Sequence, residues 1–164
     1  MSTHPHHAIR LAGPWTLSLA VLGSDAISVH RTDELRINLT KPDVEAWHGW
    51  FRQRWMELKP ILQPNQQIQI LCQRKFNQPT GLTAAQRLSV EIEYADPSFC
   101  DCAVEVNGKL LSGNVDGSLN FAAELKRLES FNSLTIGLLV SEVDFDLNDV
   151  AVPPFRSARL VIHE

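Results

Sequence analysis

The chain has 164 residues, 44% of them apolar and 21% charged, with 9 Pro and 8 Gly, and its 15 Lys+Arg against 19 Asp+Glu leave a net charge of −4. That is one domain's worth of chain, able to bury roughly 70% of its unfolded surface around a single core without disulfides. The acidic balance argues against a generic nucleic-acid binder, and no run nears the roughly 18 apolar residues of a membrane span. Nucleic acid and membrane are therefore not expected partners.

The amino terminus, Met1-Ser-Thr-His-Pro-His-His7, has neither a basic nor an apolar signal region, and residues 1–7 are read as a flexible tail before a domain spanning 8–164. His4, His6 and His7 offer weak metal ligands, but a frayed tail is the simpler reading, and no metal is assigned to them. Beyond the tail, Trp15-Leu17-Leu19 opens a series of period-2 runs after a Gly13-Pro14 break. Leu35-Ile37-Leu39 follows and leads into the one helical pattern.

Thr40-Lys-Pro-Asp43 resembles a capping box, after which Val44, Trp47, Phe51, Trp55 and Leu58 recur at helical spacing until Pro60. Gly49 in its middle costs about 1 kcal/mol relative to Ala, so the helix depends on packing. It is expected to plug one open end of a sandwich.

The strand pattern then resumes in Ile68-Ile70-Cys72, Leu88-Val90-Ile92-Tyr94, Val104-Val106, Leu134-Ile136-Leu138-Val140 and Leu160-Ile162. Turn signals separate these runs at Asn77-Gln-Pro79, Asp96-Pro97, Asn107-Gly108, Asp116-Gly117 and Pro153-Pro154. Asn107-Gly108 is the sharpest of them, because a type I′ hairpin turn needs φ > 0 at both central residues. A second short helical turn is expected near Ala122–Leu128. Clean alternation argues for antiparallel sheets with one wet face, stacked as an all-β sandwich with one helix.

Cys72, Cys100 and Cys102 make an odd count that cannot form a complete disulfide framework. They read as free thiols packed as small apolar groups in a reducing, cytoplasmic setting. Charge is uneven: residues 1–82 hold nine basic and six acidic side chains, residues 83–164 six and thirteen, which reads as an acidic face and not as a domain boundary.

Several segments in order resemble a known module. Leu11-Ala-Gly-Pro-Trp15 opens the first strand, Cys72-Gln-Arg-Lys-Phe-Asn-Gln-Pro79 follows the helix, and Val104-Glu-Val-Asn-Gly-Lys-Leu-Leu111 forms the hairpin. Phe121 to Leu128 and then Phe131-Asn-Ser-Leu-Thr-Ile136 complete the order. This resembles the sugar-binding jelly roll of β-galactosidases and β-glucuronidases, the galactose-binding-like fold, over roughly residues 8–163. The resemblance implies a galactose-binding-like sandwich and a carbohydrate ligand. It does not imply hydrolysis, since such glycosidases carry their catalytic carboxylates on a separate barrel.

Nor do the residues point to catalysis. Glu91 and Glu93 share a strand face, but by alternation it is the solvent face and not a cleft. There is no G-x-S-x-G elbow, no H-E-x-x-H and no phosphate loop, so no enzyme and no cofactor are expected. Asp144-Phe-Asp-Leu-Asn-Asp149 alternates oxygen ligands as a calcium loop would, but lacks its central Gly and terminal Glu; it reads as a solvated acidic loop.

For a sugar, an aromatic platform and nearby polar groups are needed. Trp47 and Trp55 sit on the apolar stripe of the helix and belong to the core, whereas Trp50 lies at its margin with Arg54 one turn along. Those two, with Asn114 and Asp116 as polar partners in a loop, form the expected binding group. Arg74 joins them, because it shares the parity of Ile68, Ile70 and Cys72 and so points inward unless a bulge intervenes. An inward Arg must be paired, sit at an open end or face a ligand. The resulting expectation is a non-catalytic module with a carbohydrate partner, or else a protein-interaction scaffold that has lost the sugar site.

Overall fold

A computed structural model describes residues 6–25, 28–95, 102–115, 120–140 and 154–164. The expected turns at Asp96-Pro97 and Asp116-Gly117, the acidic segment 144–149, and Cys100 lie outside these residues.

Alternating burial builds two facing antiparallel sheets. The first orders β1 (His6–Arg10), β12 (Phe155–His163), β6 (Arg87–Tyr94), β10 (Asn120–Leu125) and β9 (Gly113–Val115) side by side. The second orders β3 (Ser28–Arg31), β2 (Trp15–Leu22), β5 (Gln67–Asn77), β11 (Phe131–Val140), β7 (Cys102–Val106) and β8 (Lys109–Leu110), with β4 (Leu35–Ile37) also paired to β2. In β6, Leu88, Val90, Ile92 and Tyr94 are buried while Ser89, Glu91 and Glu93 are half-exposed. Facing them across the core, β5 buries Ile68, Ile70 and Cys72, and β11 buries Leu134, Ile136 and Leu138. One hydrophobic cluster joins both sheets and the helix. Each fully buried Leu or Ile there contributes roughly 1.5–3 kcal/mol.

β2 is covered on both faces. Its Ser18 is buried, and the Ser18 hydroxyl accepts a 2.8 Å hydrogen bond from Nε of Arg31, whose side chain reaches across from the neighbouring strand β3. Trp15 crosses the core from β2 and meets Phe155 of β12 edge-on, with ring centroids 4.7 Å apart. Its indole N–H donates to the Leu11 carbonyl at 2.8 Å.

The helix α1 (Val44–Leu58) buries Trp47, Phe51, Trp55 and Leu58, the stripe read from the sequence, and contacts β2 and β4. Its cap differs from the expected one. Asp43, extended at φ −77 and ψ 94, accepts the Ala46 N–H at 3.0 Å, while Thr40 lies upstream of the helix. Pro42 disfavours helical geometry at the residue before it, so the helix cannot start at Thr40. A 3₁₀ turn over Lys59–Ile61 carries the chain past Pro60.

Two further readings change. The expected helical turn near Ala122–Leu128 is replaced by strand β10, whose Phe121, Ala123 and Leu125 are buried in alternation. A helix would have kept Phe121 and Leu125 on one face but turned Ala123 to the opposite side. At the amino terminus, β1 takes in the last two residues of the expected tail: His6 and His7 pair with His163 and Ile162. The Asn107-Gly108 hairpin forms as read, with φ 53 and 74 at its two turn residues.

Candidate functional site

The alternation that buries Ile68, Ile70 and Cys72 continues along β5 into Arg74 and Phe76. The pairing of β5 with β11 runs unbroken through Ile136↔Cys72, Leu134↔Arg74 and Asn132↔Phe76, so no bulge turns Arg74 outward. Arg74 therefore faces the interior at the end of the sandwich. There it lines an open cleft of about 690 Å³, whose other wall is Ile9, Leu11 and Leu160 from the β1–β12 side.

The Arg74 guanidinium is half-buried. Nη1 donates to the Pro14 carbonyl at 3.2 Å, whereas Nε is shielded from solvent with no partner. Burial pulls its pKa below the ordinary guanidinium value.

The cleft's floor is a clamp of two asparagines. Asn107 Nδ2 donates to Asn132 Oδ1 at 2.9 Å, and the Ser133 N–H returns a 2.9 Å bond to Asn107 Oδ1. Asn132 is only 4% exposed; its Oδ1 also accepts the Glu129 N–H at 2.9 Å, and its Nδ2 donates to the Glu129 carbonyl at 2.7 Å. The clamp ties the β7–β8 hairpin to the start of β11.

At the mouth stands Phe131, 78% exposed and directly opposite Asn77 on β5. Residues opposite one another in an antiparallel pair share a face, so the Asn77 amide stands beside the ring. No hydrogen bond occupies that amide among the described residues.

The five residues expected to bind a ligand are distributed differently. Only Arg74 lines this cleft. Trp50 is half-buried against the core, its ring centroid 6.0 Å from that of Trp47. Its indole Nε1 is closed off from solvent and makes no hydrogen bond of ordinary geometry, although it lies near enough to Asp33 to favour that carboxylate. Arg54 grips Asp33 with two donors, Nε on Oδ1 and Nη2 on Oδ2 at 2.8 Å, and gives Nη1 to Glu57 at 2.7 Å. Hydrogen bonding from Arg54 is the main reason the Asp33 carboxyl is held below its usual range. Asn114 sits in β9, the edge of its sheet opposite β1. Asp116 lies outside the described residues.

Sequence reasoning missed Phe131 and Asn77 as site residues. Both were legible as strand-end residues on the outward parity, but nothing in the alternation says that they flank a cleft.

Glu91 and Glu93 lie on the outer face of β6, as read. Glu91 pairs with Arg159 at 2.5 Å, and Glu93 stands 3.9 Å from Arg156 and accepts from the Ser157 hydroxyl at 3.3 Å. Cys72 is fully buried among apolar side chains, which pushes its thiol pKa up. Among the described residues no group of three or more His, Cys, Asp or Glu is placed to hold a metal. No described helix is long and apolar enough to cross a membrane.

No protein-family model matches the sequence, and no curated protein does. Solved structures do match over nearly the whole chain. An FMN-binding β-glucuronidase from Faecalibacterium prausnitzii L2-6 superposes on 98% of it with a TM-score of 0.57 at 16% identity. A Bifidobacterium dentium β-glucuronidase covers 99% with a TM-score of 0.53, also at 16% identity. A β-D-mannosidase from Dictyoglomus thermophilum covers 95% with a TM-score of 0.51 at 13% identity. The chain has the galactose-binding-like sandwich fold. It spans only 23%, 31% and 22% of those three chains, so what is shared is one region of much longer proteins.

Proposed function

We propose that the chain is a non-catalytic carbohydrate-binding domain whose ligand occupies the cleft at the Arg74 end of the sandwich. The observation that carries this reading is the pairing of an open cleft of about 690 Å³ with a 78% exposed phenylalanine at its mouth. A sugar ring offers apolar C–H faces to stack on such a ring, and its hydroxyls need planar donors and acceptors nearby. Asn77 supplies both, and Arg74 supplies further donors from inside. The sandwich shared with glycosidase chains supports the same ligand class. The burial of Cys72 as a small apolar group fits a reducing, cytoplasmic setting.

Phe131 is the residue to change, because its exposure means that little packing is lost with it. Titration calorimetry against a panel of mono- and oligosaccharides should give saturable binding. Phe131→Ala should weaken it about tenfold, the equivalent of 1.4 kcal/mol, with the melting temperature held within a few degrees. Absence of binding to every saccharide would overturn the reading.

A second reading is a protein-interaction scaffold. It is favoured by Leu110 and Val115, which are 69% and 46% exposed beside the β8 and β9 edges, and by the sandwich's place within longer chains. Under that reading Phe131→Ala leaves partner binding intact, and Leu110→Ser abolishes it.

A further inference from the structure

The cleft inverts the charge of the molecule around it. Arg10, Arg74 and Lys75 line it, and neither aspartate nor glutamate does, in a chain whose net charge is −4. Elsewhere four arginines are answered, Arg31 by Glu34, Arg54 by Asp33 and Glu57, Arg156 by Glu93 and Arg159 by Glu91, while Arg36, Arg87 and Arg127, which form no ion pair among the described residues, are exposed to water. The three cleft cations have no carboxylate partner among the described residues.

For Arg10 and Lys75, exposed to water, this costs little. Arg74 is different: it is half-buried, one of its nitrogens is closed off and unpartnered, and its recorded hydrogen bond goes to a neutral carbonyl. A cation withdrawn from water without a counter-charge is destabilising unless something supplies the charge. The Pro14 carbonyl fixes the guanidinium by Nη1 and leaves the rest of a five-donor group unspent.

We propose that the cleft selects anionic saccharides, those bearing a carboxylate or a sulfate group, with Arg74 contacting that group while the sugar ring lies against Phe131. Arg10 and Lys75 add a field at the rim. This inference rests on the carbohydrate reading above and names the chemical class of its ligand. Discrimination against neutral sugars follows from the same geometry. A site that holds a charged donor ready rejects an analogue lacking the acceptor, because the donor then loses water and gains nothing.

Calorimetric titration with four probes tests it: a uronic-acid oligosaccharide, its carboxyl-reduced neutral counterpart, a sulfated oligosaccharide and the desulfated form. At least one acidic member should bind about tenfold or more tightly than its neutral partner, and which one does so identifies the anion. Raising the salt should weaken the acidic ligand and leave the neutral one nearly unchanged. Arg74→Gln should abolish the preference while neutral binding persists; Arg74→Lys should restore part of it, since it keeps the charge but not the planar fork.

Should Arg74→Gln fail to fold, the exposed pair Arg10→Gln with Lys75→Gln still decides: a few-fold loss for the acidic ligand and a flatter salt dependence support the proposal. Equal binding of acidic and neutral sugars, or a preference that survives Arg74→Gln, overturns it while the carbohydrate reading stands. No binding of any saccharide overturns both.

Discussion

Trp15→Ala should cost about 3–5 kcal/mol in a denaturant titration, a large part of the roughly 5–15 kcal/mol that holds a domain together. Trp15 is fully buried and joins the two sheets by its edge-on contact with Phe155. Deleting it opens a cavity between layers that the strands, fixed by their ladders, cannot close. The same change orphans the Leu11 carbonyl, which loses its indole donor. Since Leu11 also lines the cleft, the damage should extend to ligand binding. Trp15→Phe refills part of the volume but not the hydrogen bond, and should fall between wild type and Ala. A loss below about 1 kcal/mol for Trp15→Ala would mean that the sheets are not held together here.

Asn132→Ala should be nearly as damaging for a different reason. Its amide makes three hydrogen bonds at a 4% exposed position, to the Asn107 amide and to both backbone groups of Glu129. Removing it strands donors and acceptors that water cannot reach, at about 1–3 kcal/mol for each buried group left unsatisfied. Asn132→Asp is the sharper test. It keeps the acceptor for Asn107 and for the Glu129 N–H, but turns the donor facing the Glu129 carbonyl into another oxygen. Thermal unfolding should therefore show Asn132→Asp destabilised as well, and titration should show both variants losing ligand as the floor of the cleft loosens. If Asn132→Ala melts within a degree or two of wild type, the clamp is not what shapes the cleft.

Much of this fold could be read from the residues. Period-2 alternation carries physical information about faces, and it placed β2, β5, β6, β7, β11 and β12 with the correct side inward. Asn107-Gly108 adopts the positive φ values its turn demands. The ordered motifs that suggested a sugar-binding sandwich have a structural meaning, because the asparagines of the Val-Asn-Gly and Asn-Ser-Leu segments are the two that clasp each other.

What was missed was local signal overruled by tertiary pairing. Ala122-Ala-Glu-Leu-Lys126 is built from good helix formers, yet pairing with β6 and β9 draws its Ala122–Leu125 part into a strand. β1 gives almost no alternation because its five residues, His6 to Arg10, include one large apolar side chain, Ile9.

The candidate site was legible in part. Parity alone showed that Arg74 points inward, and the open end it required is there. Trp50 could not be judged from a helical wheel. At the margin of the stripe, its burial depends on what the β3–β4 connection brings against it, and that is the Asp33–Arg54 ion pair. Phe131 was invisible as a platform, because alternation reports which face a residue takes and not where a strand ends.

The cleft itself is tested most directly by following backbone amide NMR signals of the full chain while an acidic oligosaccharide is added. The account predicts that the largest shifts fall on residues 9–11, 74–77 and 131–133, saturate together, and need about tenfold more ligand to saturate in Phe131→Ala. Shifts centred on Trp50 and Arg54 instead, or none at any concentration of saccharide, would contradict it.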